Sequence, residues 1–377
     1  MQQANSADKH DFNTEIDHGS ADSEQILVNK PRKRGLSIPR LPAQTLGRSD
    51  FVIGSRRSRL ALKQTEIVCG ILKRQFPFCK FSIETMETLG DQIQNIPLHN
   101  IDAKSLWTQD LENLLLAGQL DLIVHSLKDM PTNIPEGCEL GAILERHDPY
   151  DAVVMRTGSH PDLRLENLPK GSVVGTSSVR RIAQLRRHYP WLEFEDVRGN
   201  IETRLRKLDA PDSPYTCLIL ANAGLCRLDL QHRVTQILSY PILLHAVGQG
   251  ALGIEIRSEP TDPVRGLLQL VNHLPTTLAC IAERSLMRTL EGGCSIPIGV
   301  QTDFGDNSVL HIFAIVVSVD GKEWVEVENS AVVDSAEAAN DFGAATAMRL
   351  LEKGAGAILK PINSERLERR RMSMGKG

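Results

Sequence analysis

The chain has 377 residues, enough for two or three domains, and its 41% hydrophobic and 24% charged composition is ordinary for a protein that buries a sizeable core. It carries 43 Lys and Arg against 47 Asp and Glu, a formal net charge of -4, which argues against whole-surface attraction to nucleic acid or an acidic membrane. Aromatics make up only 4%, so platforms for stacking bases are scarce, and any basic feature has to be local.

Residues 1–48 are polar and acidic, then basic from Lys30 to Arg34, then broken by Pro39 and Pro42. With no sustained periodicity they are expected to be a disordered tail, a nuclear address being the other reading of the basic run. There is no signal-peptide apolar region, and residues 1–25 are too acidic for a transit peptide. No apolar run approaches the ~18 residues of a membrane span, so the cytosol is the simplest location. From 51 onward short apolar runs alternate with helical patterns. Residues 51–54 read as a strand. Residues 58–74 read as a helix whose apolar face is Leu60, Leu62, Ile67, Ile71 and Leu72. Next come a helix over 106–117, a strand over 120–124, a strand over 172–175 running into a helix over 179–188, a helix over 201–208 and a strand over 217–220. Strands alternating with helices imply βαβ units and mainly parallel sheets. After about residue 272 the style changes. A helix over 277–289 leads to Gly292 and Gly293. Strands over 309–319 and 323–327 follow, joined at the hairpin signal Asp320-Gly321, then a last helix over 336–353. This reads as a small α+β unit, and the basic stretch 366–376 as a frayed tail. No internal sequence repeat is visible.

Seven cysteines, at 69, 79, 138, 217, 226, 280 and 294, are odd in number and include no C-x-x-C pair, which suits a reducing compartment and neither a disulfide framework nor a zinc ribbon. Cys294 differs from the others in sitting in a loop, Leu290-Glu291-Gly292-Gly293-Cys294-Ser295-Ile296-Pro297, where a reactive or modified thiol is as natural a reading as a structural one.

Three strand-to-helix junctions carry arginine where the helix dipole prefers an acid. In Gly175-Thr176-Ser177-Ser178-Val179-Arg180-Arg181, Ser178 is a good N-cap and two arginines fill the first turn. That arrangement makes sense if an anion docks there, the alternative being two solvent-facing arginines. In Val197-Arg198-Gly199-Asn200-Ile201-Glu202-Thr203-Arg204, Asn200 caps a helix flanked by Arg198 and Arg204. In Gly54-Ser55-Arg56-Arg57-Ser58-Arg59, Ser58 is a candidate cap with Arg56 just before it. Between 176 and 207 eight Lys and Arg stand against four Asp and Glu. Arginine forks suit carboxylates and phosphates, because two N–H groups engage two oxygens. The segment Val124-His125-Ser126-Leu127-Lys128-Asp129-Met130-Pro131 follows a buried strand, at the carboxyl end where α/β sheets gather ligands. There Lys128 could meet an anion and Asp129 could manage charge or protons. A metal held by His125 and Asp129 lacks a third ligand nearby, and a solvated Lys-Asp turn is the bland alternative.

Taken together, eight segments in order closely resemble the porphobilinogen deaminase (hydroxymethylbilane synthase) family: G-S-R-R-S-R-L-A, T-L-G-D, V-H-S-L-K-D-M-P, G-T-S-S-V-R-R, R-G-N-I-E-T-R-L, A-N-A-G-L-C-R, V-G-Q-G-A-L-G and E-G-G-C-S-I-P. The resemblance runs from about 51 to 359. It implies a transferase that joins four porphobilinogen units head to tail, releasing ammonia each time, to the linear tetrapyrrole hydroxymethylbilane of haem biosynthesis. A dipyrromethane cofactor, one per chain, would be held by a thioether to Cys294. The resemblance makes Asp129 catalytic. It gives Lys128, Ser178, Arg180, Arg181 and Arg204 to the cofactor, and Arg56, Ser58, Arg198 and Arg227 to substrate or growing chain. It implies an α/β fold of two doubly wound lobes like those of periplasmic binding proteins, plus a small α+β domain. Domain 1 would span 49–146 and 248–271, domain 2 147–247 and domain 3, carrying the cysteine, 272–361. Residues 362–377 would be a basic tail and 91–105 a mobile lid. Gln109 and Asp102 depart from the family's usual Lys and Gly there. A monomer with no nucleic-acid or membrane partner and no metal is expected. A binding protein without covalent pigment, or a nucleic-acid binder using 176–207, are the rivals.

Overall fold

A computed structural model describes residues 48–87, 104–259, 262–290 and 296–374, with 104–107 and 365–374 as backbone alone. The nuclear-address segment, most of the expected tail, Asp102, the expected lid up to 103, and the Gly292-Gly293-Cys294 loop lie outside these residues.

The strands are β1 (Asp50–Arg56), β2 (Lys80–Met86), β3 (Leu122–Ser126), β4 (Cys138–Ile143), β5 (Asp151–Met155), β6 (Val173–Gly175), β7 (Glu193–Glu195), β8 (Cys217–Ala221), β9 (Gln236–Leu238), β10 (Leu252–Arg257), β11 (Ile298–Phe304), β12 (Val309–Val317) and β13 (Trp324–Val332). The helices are α1 (Arg59–Gln75), α2 (Lys104–Leu116), α3 (Val179–His188), α4 (Ile201–Asp209), α5 (Asn222–Arg227), α6 (Val264–Gln269), α7 (Leu274–Thr289), α8 (Ala336–Glu352) and α9 (Ala355–Met374).

Two five-stranded sheets share one plan. The first has order β2-β1-β3-β10-β4 and the second β7-β6-β8-β5-β9. In each, three neighbouring strands are parallel and the next is antiparallel: β10 against β3 and β4, and β5 against β8 and β9. The mainly parallel expectation therefore needs one correction, and the odd strand is the same one in both sheets. It is the strand entered directly from a crossing between lobes, since β4 leads to β5 and β9 leads to β10. Both faces of the second sheet are covered. Along β5, Ala152 and Val154 face one apolar cluster with Leu205 and Leu225, while Val153 and Met155 face another with Leu165 and Leu185. That alternation is the period-2 geometry of a strand buried on both sides.

The third unit is the antiparallel sheet β11-β12-β13, with α7 and α8 packed on it through Leu286, Val300, Ile312 and Ala347. The alternating pattern carries β13 on to Val332, five residues past the expected end. α7 begins at Leu274 because His273 caps it, accepting from the N–H of Thr276, and Pro275 fits the first turn. The stretch expected to fray is helical to Met374, continuing from a first turn in which Ala355, Ile358 and Leu359 are buried. No helix among the described residues is long and apolar enough to cross a membrane.

Helix α1 also needs correction. It buries Ala61, Gln64, Thr65, Val68, Cys69 and Leu72, while Ile67 is 41% exposed. The inward stripe includes two polar residues because they have partners in the sheet. Gln64 exchanges hydrogen bonds with the Ser126 hydroxyl and Thr65 donates to Ser55 Oγ at 2.8 Å.

Candidate functional site

Both lobes turn the carboxyl ends of their parallel strands toward a shared seam. β3 ends in a 3-10 turn, Leu127–Asp129, whose flanks are anchored: Leu127 and Met130 are each 1% exposed, while Asp129 faces outward. Arg56 ends β1, whose register with β3 brings that strand end level with the same turn. On the other lobe β6 ends at Gly175, and Ser178 caps α3 by accepting from the N–H of Arg181 at 3.5 Å. Asn200 caps α4 and Ser58 caps α1, as the junction motifs predict. Arg59 of α1 reaches Glu202 of α4 at 2.7 Å, an ion pair across the lobes.

The arginines at the start of α3 are neither solvent-facing nor waiting for an external anion. Arg180 and Arg181 are 6% and 7% exposed, and both bind Asp151 at the start of β5. Arg180 Nη2 donates to Oδ2 at 2.7 Å, and Arg181 donates to Oδ1 from Nη2 at 2.6 Å and Nε at 3.1 Å. Their remaining bonds go to the carbonyls of Leu244 and Ile219. Burial alone would raise the Asp151 carboxyl, but the two guanidiniums overcome it and hold it well below the usual carboxylate range. Sequence reasoning gave no role to Asp151, nor to Gln249, which stands there only within the V-G-Q-G-A-L-G segment. The Gln249 amide donates to Asp151 and to the carbonyl of Pro149, and its oxygen accepts from Lys128 Nζ at 3.2 Å. A buried polar chain thus runs from the turn of the first lobe, through a residue of the return crossing, to the helix start of the second.

Around this chain cationic side chains cluster. Burial pulls the Lys128 ammonium down to about 8, Asp129 and Asp151 resisting, Arg181 and Arg180 assisting. Burial, then Arg181 and Arg198, pull Arg204 down to about 10, with Asp129 alone opposing. Among the described residues, Lys128, Arg180, Arg181, Arg198 and Arg204 lie within electrostatic reach of one another and of the carboxylates of Asp129 and Asp151. Arg198 has a buried Nη1 with no hydrogen-bond partner among the described residues, and Arg204 spends Nε on the carbonyl of Gly199 at 2.7 Å. Arg227 stands apart from this group, donating to the carbonyl of Gly250 at 2.6 Å, with burial taking it down to about 10. His125 is 2.8 Å from Glu255 and buried with it, pointing away from any pairing with Asp129. Among the described cysteines, burial pushes Cys138, Cys217 and Cys280 up to about 12, so none of these three is a ready thiolate.

An orphaned buried donor on Arg198 among clustered cations suits a ligand bearing several carboxylates, since buried charge has to be paired. The fold and site define a two-lobed α/β protein with a cation-rich seam and an appended α+β domain. Residues 51–264 match the family model described as "Porphobilinogen deaminase, dipyromethane cofactor binding domain", and residues 277–352 match "Porphobilinogen deaminase, C-terminal domain". Porphobilinogen deaminase of Yarrowia lipolytica is 52% identical, covering 84% of this chain and 94% of its own. Those of Saccharomyces cerevisiae and Synechococcus sp. RCC307 are 48% and 51% identical, covering 86% and 84% of this chain and 100% and 98% of theirs. Among solved structures, the Escherichia coli periplasmic aliphatic sulphonate binding protein SsuA is similar at a TM-score of 0.35 and 15% identity, over 65% of this chain and 71% of that one.

The chain belongs to the porphobilinogen deaminase family. Its activity is that of hydroxymethylbilane synthase, a transferase of tetrapyrrole biosynthesis that takes porphobilinogen as substrate and a dipyrromethane as cofactor.

Proposed function

We propose that Asp129 is the catalytic carboxylate and that the seam cations hold the acid groups of cofactor and growing chain. Lys128, Ser178, Arg180, Arg181 and Arg204 are assigned to the cofactor, Arg56, Ser58, Arg198 and Arg227 to substrate and chain, and Cys294 to the thioether. The observation that carries this is the buried Nη1 of Arg198, without a hydrogen-bond partner among the described residues, near Arg204 and the outward-facing Asp129. When bound, the cofactor supplies the pyrrole terminus that the first substrate unit joins. Asp129 offsets the positive charge that develops on the substrate as ammonia leaves, and accepts or returns the proton involved. Arg198, with an open Nη1, and Arg204 pair incoming acetate and propionate groups. Arg180 and Arg181 act mainly by holding α3 and the Ser178 N–H end in place, because Asp151 and the carbonyls of Leu244 and Ile219 already take their N–H groups. Ser178 and Ser58 spend a lone pair as caps and keep their hydroxyl protons to donate.

The reading extends to three domains, 49–146 with 248–271, 147–247 and 272–361, supported by the three separate sheets. We also infer a cytosolic monomer without nucleic-acid or membrane partners, in keeping with the net charge of -4.

Intact mass of the purified protein tests the anchor. A dipyrrole adduct is expected, reactive in the pyrrole-specific aldehyde colour test and absent from Cys294→Ser. An unmodified, colourless native protein overturns the assignment. Asp129→Asn is expected to fold and keep the adduct while turnover falls at least about a hundredfold, the scale of a lost acid–base group. Near-normal turnover removes Asp129 from its role.

A further inference from the structure

Helix α7 belongs to the C-terminal unit, yet one of its faces is built into the first lobe. Cys280 packs in a single apolar cluster with Leu127 and Met130, the residues flanking Lys128 and Asp129, and with Ile143 and Ala251. One turn further on, Arg284 is 4% exposed. Its Nη2 donates to the carbonyl of Pro131 at 2.6 Å and to that of Thr132 at 3.3 Å. A turn beyond, Arg288 Nη1 reaches the same Thr132 carbonyl at 3.5 Å, its Nη2 being held by Asn340 at 2.8 Å. Among the described residues Arg284 has no ion-pair partner; burial, and then Arg288, draw it down to about 10, so it stays protonated at neutral pH. A buried guanidinium without a carboxylate is costly to keep. Here its hydrogen bonds go to the backbone two and three residues after Asp129.

We propose that Arg284 is a positioning residue for the condensation, fixing the turn that bears Asp129 through the backbone at its exit. The proposal rests on the assignment of Asp129 made above. The turn bearing Asp129 is held from below by Cys280 and from its exit by Arg284, both on α7. The same helix runs to Thr289, five residues before Cys294. One helix of the C-terminal unit therefore grips the catalytic turn at two points. Catalysis is sensitive to displacements of about 1 Å, so loosening that grip affects turnover more than binding.

The test uses holoenzyme whose dipyrrole adduct is verified by intact mass. Arg284→Gln is expected to lower kcat about tenfold, with KM for porphobilinogen changed less than about twofold and the adduct retained. Arg284→Lys, able to reach one carbonyl, is expected to recover part of the loss and to remain about threefold below the native kcat. The cycle with Asp129→Glu separates positioning from general structure. In that background, where the carboxylate is already displaced, Arg284→Gln is expected to cost less than about threefold. A native kcat in Arg284→Gln, or losses that multiply in the double variant, overturns the proposal. Should Arg284→Gln not accumulate as folded protein, Arg284→Lys decides, and a native kcat there overturns it too. Asp129→Asn measured alone keeps the two readings apart. If it is severely impaired while Arg284→Gln is normal, only the role of Arg284 falls. If it turns over normally, both fall.

Discussion

Asp151 shows how one side chain can decide what its neighbours are free to do. It pairs with both arginines whose position at a helix N-terminus is otherwise unfavourable, so the unusual local pattern is explained by an internal anion. Asp151→Asn leaves two buried guanidiniums without a counter-charge and is expected to lower unfolding free energy at pH 7 by about 3–5 kcal/mol, read by denaturant titration. Because the folded carboxyl lies below its unfolded range, this contribution is present above about pH 4 and fades as pH falls further. The native and variant proteins should therefore converge in stability in acid; a gap that persists unchanged at low pH contradicts the pairing. Lys128 gives the opposite limb. Its ammonium is present below about pH 8 and lost above it, so kcat/KM is expected to decline on the basic side near that value. Lys128→Arg stays charged and should carry activity to higher pH; an unchanged profile assigns the limb to another group. At this scale the motifs around Lys128, Asp129, Arg198 and Arg204 were legible in sequence, because the residues stand beside strand ends and helix caps. Asp151 and Gln249 were not, since a lone Asp before four apolar residues and a Gln between glycines acquire their role only when two distant crossings meet.

Elements that pattern themselves against water are readable, and those read against each other are less so. The span of α3 follows from its cap and periodicity. The inward face of α1 does not, because Gln64 and Thr65 are drawn in by hydroxyls on β1 and β3 that no helical periodicity reveals. β5, five consecutive buried residues, has no alternation to betray it. Helix packing in the C-terminal unit offers a test in which propensity and packing disagree in sign. Gly343 lies inside α8, where alanine normally stabilises a helix by about 1 kcal/mol. A Cβ there would collide with the Ala282 carbonyl of α7 and with the Ser285 side chain. Gly343→Ala is therefore expected to destabilise by about 1–3 kcal/mol and to lower Tm. A raised Tm shows that the two helices can part at little cost.

Across the whole molecule, one carboxylate ties the crossings to the third unit. Glu283 of α7 accepts from both Nη atoms of Arg146 on the outgoing crossing, at 2.7 and 2.9 Å. It also accepts from the N–H of Gly248 on the return crossing and from Thr302 of β11. Burial would raise this group, but Arg146 takes it down to about 2. Glu283→Gln leaves Arg146 unpaired and is expected to cost about 3–5 kcal/mol near neutrality. That cost should shrink as pH falls below about 4 toward 2, as monitored by thermal unfolding. The shared strand order of the two sheets also has a consequence for synthesis. Every strand of the second sheet lies between Asp151 and Leu238, whereas the first sheet needs β10 inserted between β3 and β4. A nascent chain emerging from the ribosome can thus complete its second-encoded lobe while the first still has a gap in its middle. The N-terminal half must wait, open, for a strand translated about a hundred residues later.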